Sequence, residues 1–125
     1  MTLTRTLTLI AVASTLGFAA AAANATIVVK CETRSDRSKA SVDGKNLASG
    51  NYTAMLTSGA NSAQSPAAHT VGDEVEFDFD SNPRDIKKGA TPIAKNFIVD
   101  GTVTGSLLDA SGNTVATKTV NCRAR

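Results

Sequence analysis

The chain reads as a small all-β domain, an antiparallel β-sandwich of five to seven short strands. Three observations predict it. Apolar residues recur with a period of two, and no stretch of ten or more residues carries a convincing period of 3.6. Turn residues (Gly, Asn, Asp, Ser, Pro) punctuate the sequence about every ten residues. Two cysteines, Cys31 and Cys122, bracket nearly the whole domain.

The first 25 residues stand apart. Arg5 is the only charge in Met1–Ala25, an apolar stretch runs from Leu7 to Ala22, and Ala23-Asn24-Ala25 closes it with small residues at the first and third positions. Positive start, apolar middle and A-x-A end are the order of a secretory signal peptide. The apolar run is short of the ~20 residues that a spanning helix needs. The sequence therefore predicts cleavage after Ala25, a single domain over 26–125, no membrane span after cleavage, and a periplasmic or secreted location. The Ala-rich signal points to a bacterial source. Of the hydrophobic residues, 16 lie in the signal and 36 in the remaining 100, and 12 of those 36 are Ala. A core this small gains from a covalent tie. In an exported chain the two cysteines are expected to pair, which makes the first and last strands neighbours.

Thr26–Glu32 (TIVVKCE) reads as a first β-rich strand. Arg34–Lys39 carries three basic residues diluted by Asp36, and reads as a hydrated loop with room for one helical turn over Ser35–Ala40. Asp43-Gly44 reads as a turn. In Asn51–Thr57, Tyr52, Ala54 and Leu56 share one face, with Thr53 and Thr57 on the other. Ala60–Thr70 is polar and pattern-free, a long loop or a weak edge strand. Glu74–Asp80 (EVEFDFD) alternates most cleanly: Val75, Phe77 and Phe79 inward, Glu74, Glu76, Asp78 and Asp80 outward. It is expected at a sheet edge, where charges discourage further pairing. Ser81-Asn82-Pro83 turns the chain, and Asp85–Gly89 has room for a helical turn. Val103, Gly105 and Leu107 alternate with Thr104, Ser106 and Leu108, and Thr114–Cys122 is a β-branched last strand.

Two segments carry a resemblance. Leu47-Ala48-Ser49-Gly50-Asn51-Tyr52 has the L-x-x-G-x-Y spacing, and Gly101–Val115 has a strand, D-x-x-G turn, strand order. Together they resemble the immunoglobulin-like and carboxypeptidase-regulatory-like sandwiches of secreted proteins, although in the latter the hairpin precedes the Tyr element. The resemblance implies the sandwich architecture and transfers no functional residue.

For chemistry, the acidic strand stands out. Asp78, Asp80, Asn82 and Asp85 place oxygen side chains from the strand end into the following loop, a pattern that suits a hard cation such as Ca2+. Pro83 and Gly89 stand where an EF-hand loop wants Gly and a bidentate acid. The alternative is a charged sheet face balanced by Lys30, Arg34, Arg37, Lys39, Lys87 and Lys88. No nucleophile elbow accompanies His69, the single His. A paired-carboxylate hydrolase would need a cleft. A net charge of +2 and four Phe with one Tyr argue against nucleic-acid binding. Asn51-Tyr52-Thr53 is a formal glycosylation acceptor that matters only in a eukaryotic secretory pathway. The expected function is a non-enzymatic, exported binding module without a cofactor, its partner a protein or cell-envelope component. A calcium-stabilised domain is the alternative.

Overall fold

The computed structural model describes residues 24–125. The signal peptide expected over Met1–Ala25 lies outside the described residues except for its last two. Among the described residues, no helix is long and apolar enough to cross a membrane.

The described residues form ten strands and one short helix, in order: β1 Thr26–Arg34, β2 Arg37–Lys45, β3 Asn51–Ser58, β4 Asn61–Gln64, β5 Ala68–His69, β6 Val75–Asp80, α1 Pro83–Lys87, β7 Thr91–Pro92, β8 Thr102–Leu108, β9 Thr114–Asn121 and β10 Arg123–Ala124. The first sheet has the order β10-β1-β2-β6-β7, the second β4-β3-β8-β9, with β5 also on β3. Pairing is antiparallel except for β1 with β10 and β6 with β7. This is the two-layer sandwich that the period of two requires: each sheet buries alternate side chains against the other.

The core follows that alternation. Val29 from β1, Ala40 and Val42 from β2, and Val75, Phe77 and Phe79 from β6 meet Tyr52, Ala54 and Leu56 from β3 and Val103 and Leu107 from β8. Phe79, Leu56 and Leu107 are fully buried, each contributing roughly 1.5–3 kcal/mol of transfer free energy. Two glycines let the layers interlock. A Cβ on Gly44 of β2 would lie 2.6 Å from Leu107 Cδ2, and one on Gly105 of β8 would lie 2.7 Å from Val29 Cγ2. Each sheet thus opens a gap for a branched side chain of the other.

The disulfide Cys31–Cys122 forms, with Cα atoms 4.7 Å apart. Cys31 sits on β1, and Cys122 lies where the chain passes from β9 in the second sheet to β10 in the first. The bond therefore ties the layers as well as the ends. In the chain-entropy model, closing a loop this long is worth roughly 4–5 kcal/mol.

Several expectations need correction. Arg34–Lys39 is not a hydrated loop. Arg34 ends β1, Ser35-Asp36 is the two-residue turn of the β1–β2 hairpin, and Arg37–Lys39 opens β2, a central strand, so Ser35–Ala40 holds no helical turn. Asp43-Gly44 is not a turn but part of that strand. β2 escaped notice because its buried side is Ser38, Ala40, Val42 and Gly44, small residues with little hydrophobic signal. Of the two readings of Ala60–Thr70, the weak edge strand holds: the segment contains two short edge strands, β4 and β5. Between them, Ser65-Pro66-Ala67 forms an interruption in which Ser65 Oγ accepts from the Ala54 N–H at 2.8 Å. The helical turn expected near Asp85 is α1, capped by Asn82 Oδ1, which accepts from Arg84 N at 2.9 Å.

Other turn signals hold. Asp100 and Gly101 have φ of 55° and 69° between the bridged Val99 and Thr102, the left-handed pair of a tight hairpin. Tyr52 Oη donates to the Ala48 carbonyl at 2.8 Å, a local brace of the tyrosine-corner kind that immunoglobulin-like sandwiches use.

Candidate functional site

The acidic strand β6 lies in the first sheet, paired along its whole length with β2 through Lys39↔Asp80, Ser41↔Asp78 and Asp43↔Glu76. The other side of the strand divides in two. At the C-terminal end β7 adds a parallel partner, Phe79↔Thr91 and Asp80↔Pro92. Before Phe79, no named strand of the described chain pairs with that side.

Asp80 departs from the expected picture. Alternation does place it on the outer face, as read from the sequence, but it is not solvated: Arg37, α1 and β7 cover it and leave it 2% exposed. Arg37 Nε and Nη2 donate to its two carboxylate oxygens at 3.0 and 2.7 Å, and the Asn82 N–H donates to Oδ1 at 2.9 Å. Arg37 Nη2 also donates to Asp85 Oδ2 at 2.8 Å. Burial pushes the Asp80 carboxyl up, but the Arg37 hydrogen bonds and charge, with the Asn82 N–H, outweigh it and hold the group below the usual carboxylate range. The same hydrogen bond raises the Arg37 guanidinium.

Of the four suggested cation ligands, only the Asp80 and Asp85 side chains thus meet, and those of Asn82 and Asp78 do not join them. Asp80 and Asp85 converge on Arg37, and Asn82 Oδ1 is used by the helix cap. The positive charge that their oxygens attend is a guanidinium from the neighbouring strand. Asp78 stays on the exposed outer face. Among the described residues, no group of three or more His, Cys, Asp or Glu side chains converges as metal ligands do. Arg37 is one of the six basic residues that the sequence offers to balance the acidic face, although its own segment reads as a loop. It lies 43 residues from Asp80, so its role becomes visible only through the β2–β6 register.

The rest of the first sheet's outer face alternates in charge. Glu32 accepts from Arg34 at 3.0 Å and pairs with Arg125 at 3.2 Å. Its burial acts upward, but those two arginines and Lys39 bring the carboxyl below its ordinary value. Asp43, half-buried opposite Glu76, is displaced the other way, first by burial and then by Glu76 and Asp78; Lys30 and Lys45 only partly offset this.

The second sheet's outer face is different in kind. Thr53, Met55 and Thr57 of β3, Thr104 and Ser106 of β8, and Thr117 and Thr119 of β9 occupy it without a charged residue. Thr104 and Thr119 share a hydroxyl hydrogen bond at 2.7 Å, and Ser106 and Thr117 one at 2.9 Å. His69 lies on β5 at the same sheet's margin, its Nδ1 2.9 Å from Asn51 Oδ1.

Beside the open half of β6 runs a groove of about 470 Å3. One wall is the β6 edge with Glu76, Phe77 and Asp78. The second is Ser65–Ala68 from the edge of the other sheet, and Gly89–Thr91 closes one end. A shallower depression of about 580 Å3 over Lys30, Ser41 and Asp78 lies on the outer face near Arg123. No family model matches the chain, and no curated protein matches it.

Proposed function

We propose that the protein is an exported, non-enzymatic β-sandwich that binds a protein or cell-envelope partner through its edge strands and loops. The observation that carries this reading is the groove between the two sheet edges, where half of β6 has no strand beside it and the opposite wall is made of small residues, Ser65, Ala67 and Ala68. Uncovered strand edges are the elements through which sandwiches recruit other chains.

Export is supported by the signal-like first 25 residues and by a disulfide that spans 91 positions, a bond that persists in oxidising compartments. The non-catalytic part of the reading rests on how ionisable groups are employed. Arg37, Asp80 and Asp85 are engaged with one another, and His69 is exposed and held by an asparagine. Glu76 and Asp78 stand on an exposed strand face.

Affinity capture from a cell-envelope extract, with the exported protein immobilised through a terminal tag, tests the reading. Saturable retention of a defined component is expected. Retention of nothing above a reduced, unfolded control would contradict it.

A further inference from the structure

The four lateral edges of the sandwich are not equally protected. Along β4 and β5 the ladder is interrupted at Ser65-Pro66-Ala67, and Pro66 has no N–H to offer. On β9, Lys118 occupies a core-facing register position opposite Gly105, yet is exposed: a charge on the inner side of an edge strand obstructs pairing by a further sheet. β1 carries β10 at Glu32 and Thr33. The edge of β6 is held at its two ends, by the Val71 backbone at Glu74 and by β7 at Phe79 and Asp80, and between them it carries neither a proline nor an inward charge.

Its backbone is oriented to receive a strand. The Asp80 carbonyl accepts from the Ile93 N–H at 3.1 Å, so Asp80 turns its main-chain groups away from β2. Orientation alternates along an antiparallel pair, so Glu76 and Asp78 turn their N–H and C=O groups toward the groove as well. β7 already uses this edge at Phe79 and Asp80.

The geometry points to strand addition: we propose that an extended basic peptide docks along Glu76–Asp78 and continues the first sheet across the edge left open between the Val71–Glu74 bridge and β7. This rests on the reading of the domain as a binding module and names the chemistry of its partner. The free backbone edge supplies main-chain hydrogen bonds. The side chains beside it choose the guest. Glu74, Glu76 and Asp78 are exposed on the outer face, and none of them forms an ion pair among the described residues. Burial is the first cause of the upward displacement of Asp43, and the nearby Glu76 and Asp78 add to it; Lys39 and Lys88 also line the groove, so the negative charge is concentrated at the Glu76 and Asp78 stretch of the strand. Alternate guest side chains would fall beside these acids, which favours Lys or Arg. Those between would face Phe77, Ala67 and Ala90, which favours small or apolar groups.

The test uses the full exported protein and the synthetic peptide Lys-Val-Lys-Val-Lys-Val, with Glu-Val-Glu-Val-Glu-Val and an N-methylated Lys peptide as controls. Binding is followed by fluorescence anisotropy and by amide hydrogen exchange. The Lys peptide is expected to bind at least about tenfold more tightly than either control and to weaken with salt. It is also expected to slow exchange at the Glu76 and Asp78 amides. Glu76→Lys/Asp78→Lys, substituted at exposed positions, is expected to lose this binding while keeping the unfolding midpoint. Equal binding of the three peptides, unchanged exchange at those amides, or undiminished binding by the variant would overturn the proposal. If envelope capture succeeds and survives the double variant, the binding-module reading stands and the β6 site falls. If capture retains nothing, the wider reading fails.

Discussion

The two halves of β6 share one pattern and meet opposite fates. Glu76 and Asp78 occupy the first half, Asp80 the second, and all three point to the outer face of the same sheet. At Asp80 the strand is covered by β7, α1 and Arg37, and the carboxylate is buried in hydrogen bonds. At Glu76 and Asp78 the strand is open and the carboxylates face solvent. An alternating acidic strand does not by itself specify a surface. What crosses over it decides whether a carboxylate is a structural ion or an exposed one, and here the divide falls within six residues.

The comparison can be broken by removing the partner of the buried half. Arg37→Ala leaves Asp80 buried without its counter-ion and should cost about 3 kcal/mol in urea unfolding. Glu76→Gln and Asp78→Asn, at the exposed half, should each stay within about 0.5 kcal/mol of the parent. Equal costs at the two ends would mean that the halves do not differ as described.

Acid titration sharpens it. The Asp80 carboxyl is depressed in the folded state, so its stabilising contribution is present above the unfolded carboxylate value and lost as pH falls through the lower folded value. The parent should therefore lose stability on the acid limb more steeply than Asp80→Asn, measured as midpoint against pH. Asp43 has the reverse sign. Its folded value is raised, so its ionised form weakens the fold at neutral pH and the penalty disappears in acid. Asp43→Asn should stabilise the protein at pH 7 by no more than about 0.5 kcal/mol, given solvent screening, and lose that advantage in acid.

The smallest effect concerns calcium. Asp80 and Asp85 already attend Arg37, so excess Ca2+ and EDTA should give the same thermal midpoint. A rise with Ca2+ would restore the cation reading of Asp78, Asp80, Asn82 and Asp85.

How much of this was legible in the sequence follows from what kind of signal each element carries. β6, β3 and β8 announce themselves because large apolar residues alternate with polar ones. β2 does not, because a central strand with Leu107 pressed against Gly44 needs small residues, and Ser38, Ala40 and Gly44 look like loop composition. The disulfide was readable from two cysteines in an exported chain. The Arg37–Asp80–Asp85 cluster was legible only in part: Arg37 is one of six basic residues expected to balance the acidic face, but local spacing makes Asp80, Asn82 and Asp85 look like a ligand set, and which base meets Asp80 and Asp85 depends on the register of a strand far away in sequence. The groove was equally hidden, since it depends on where β7 stops along β6 and on the Ser65-Pro66-Ala67 interruption across from it.

Amide hydrogen exchange of the unliganded protein tests the open half of β6 most directly. Phe77 and Phe79, whose N–H groups turn toward β2, should exchange slowly, near the limit set by global unfolding. Glu76 and Asp78, whose N–H groups turn into the groove, should exchange orders of magnitude faster. Comparable protection at all four amides would mean that this edge is already paired, and would contradict the account.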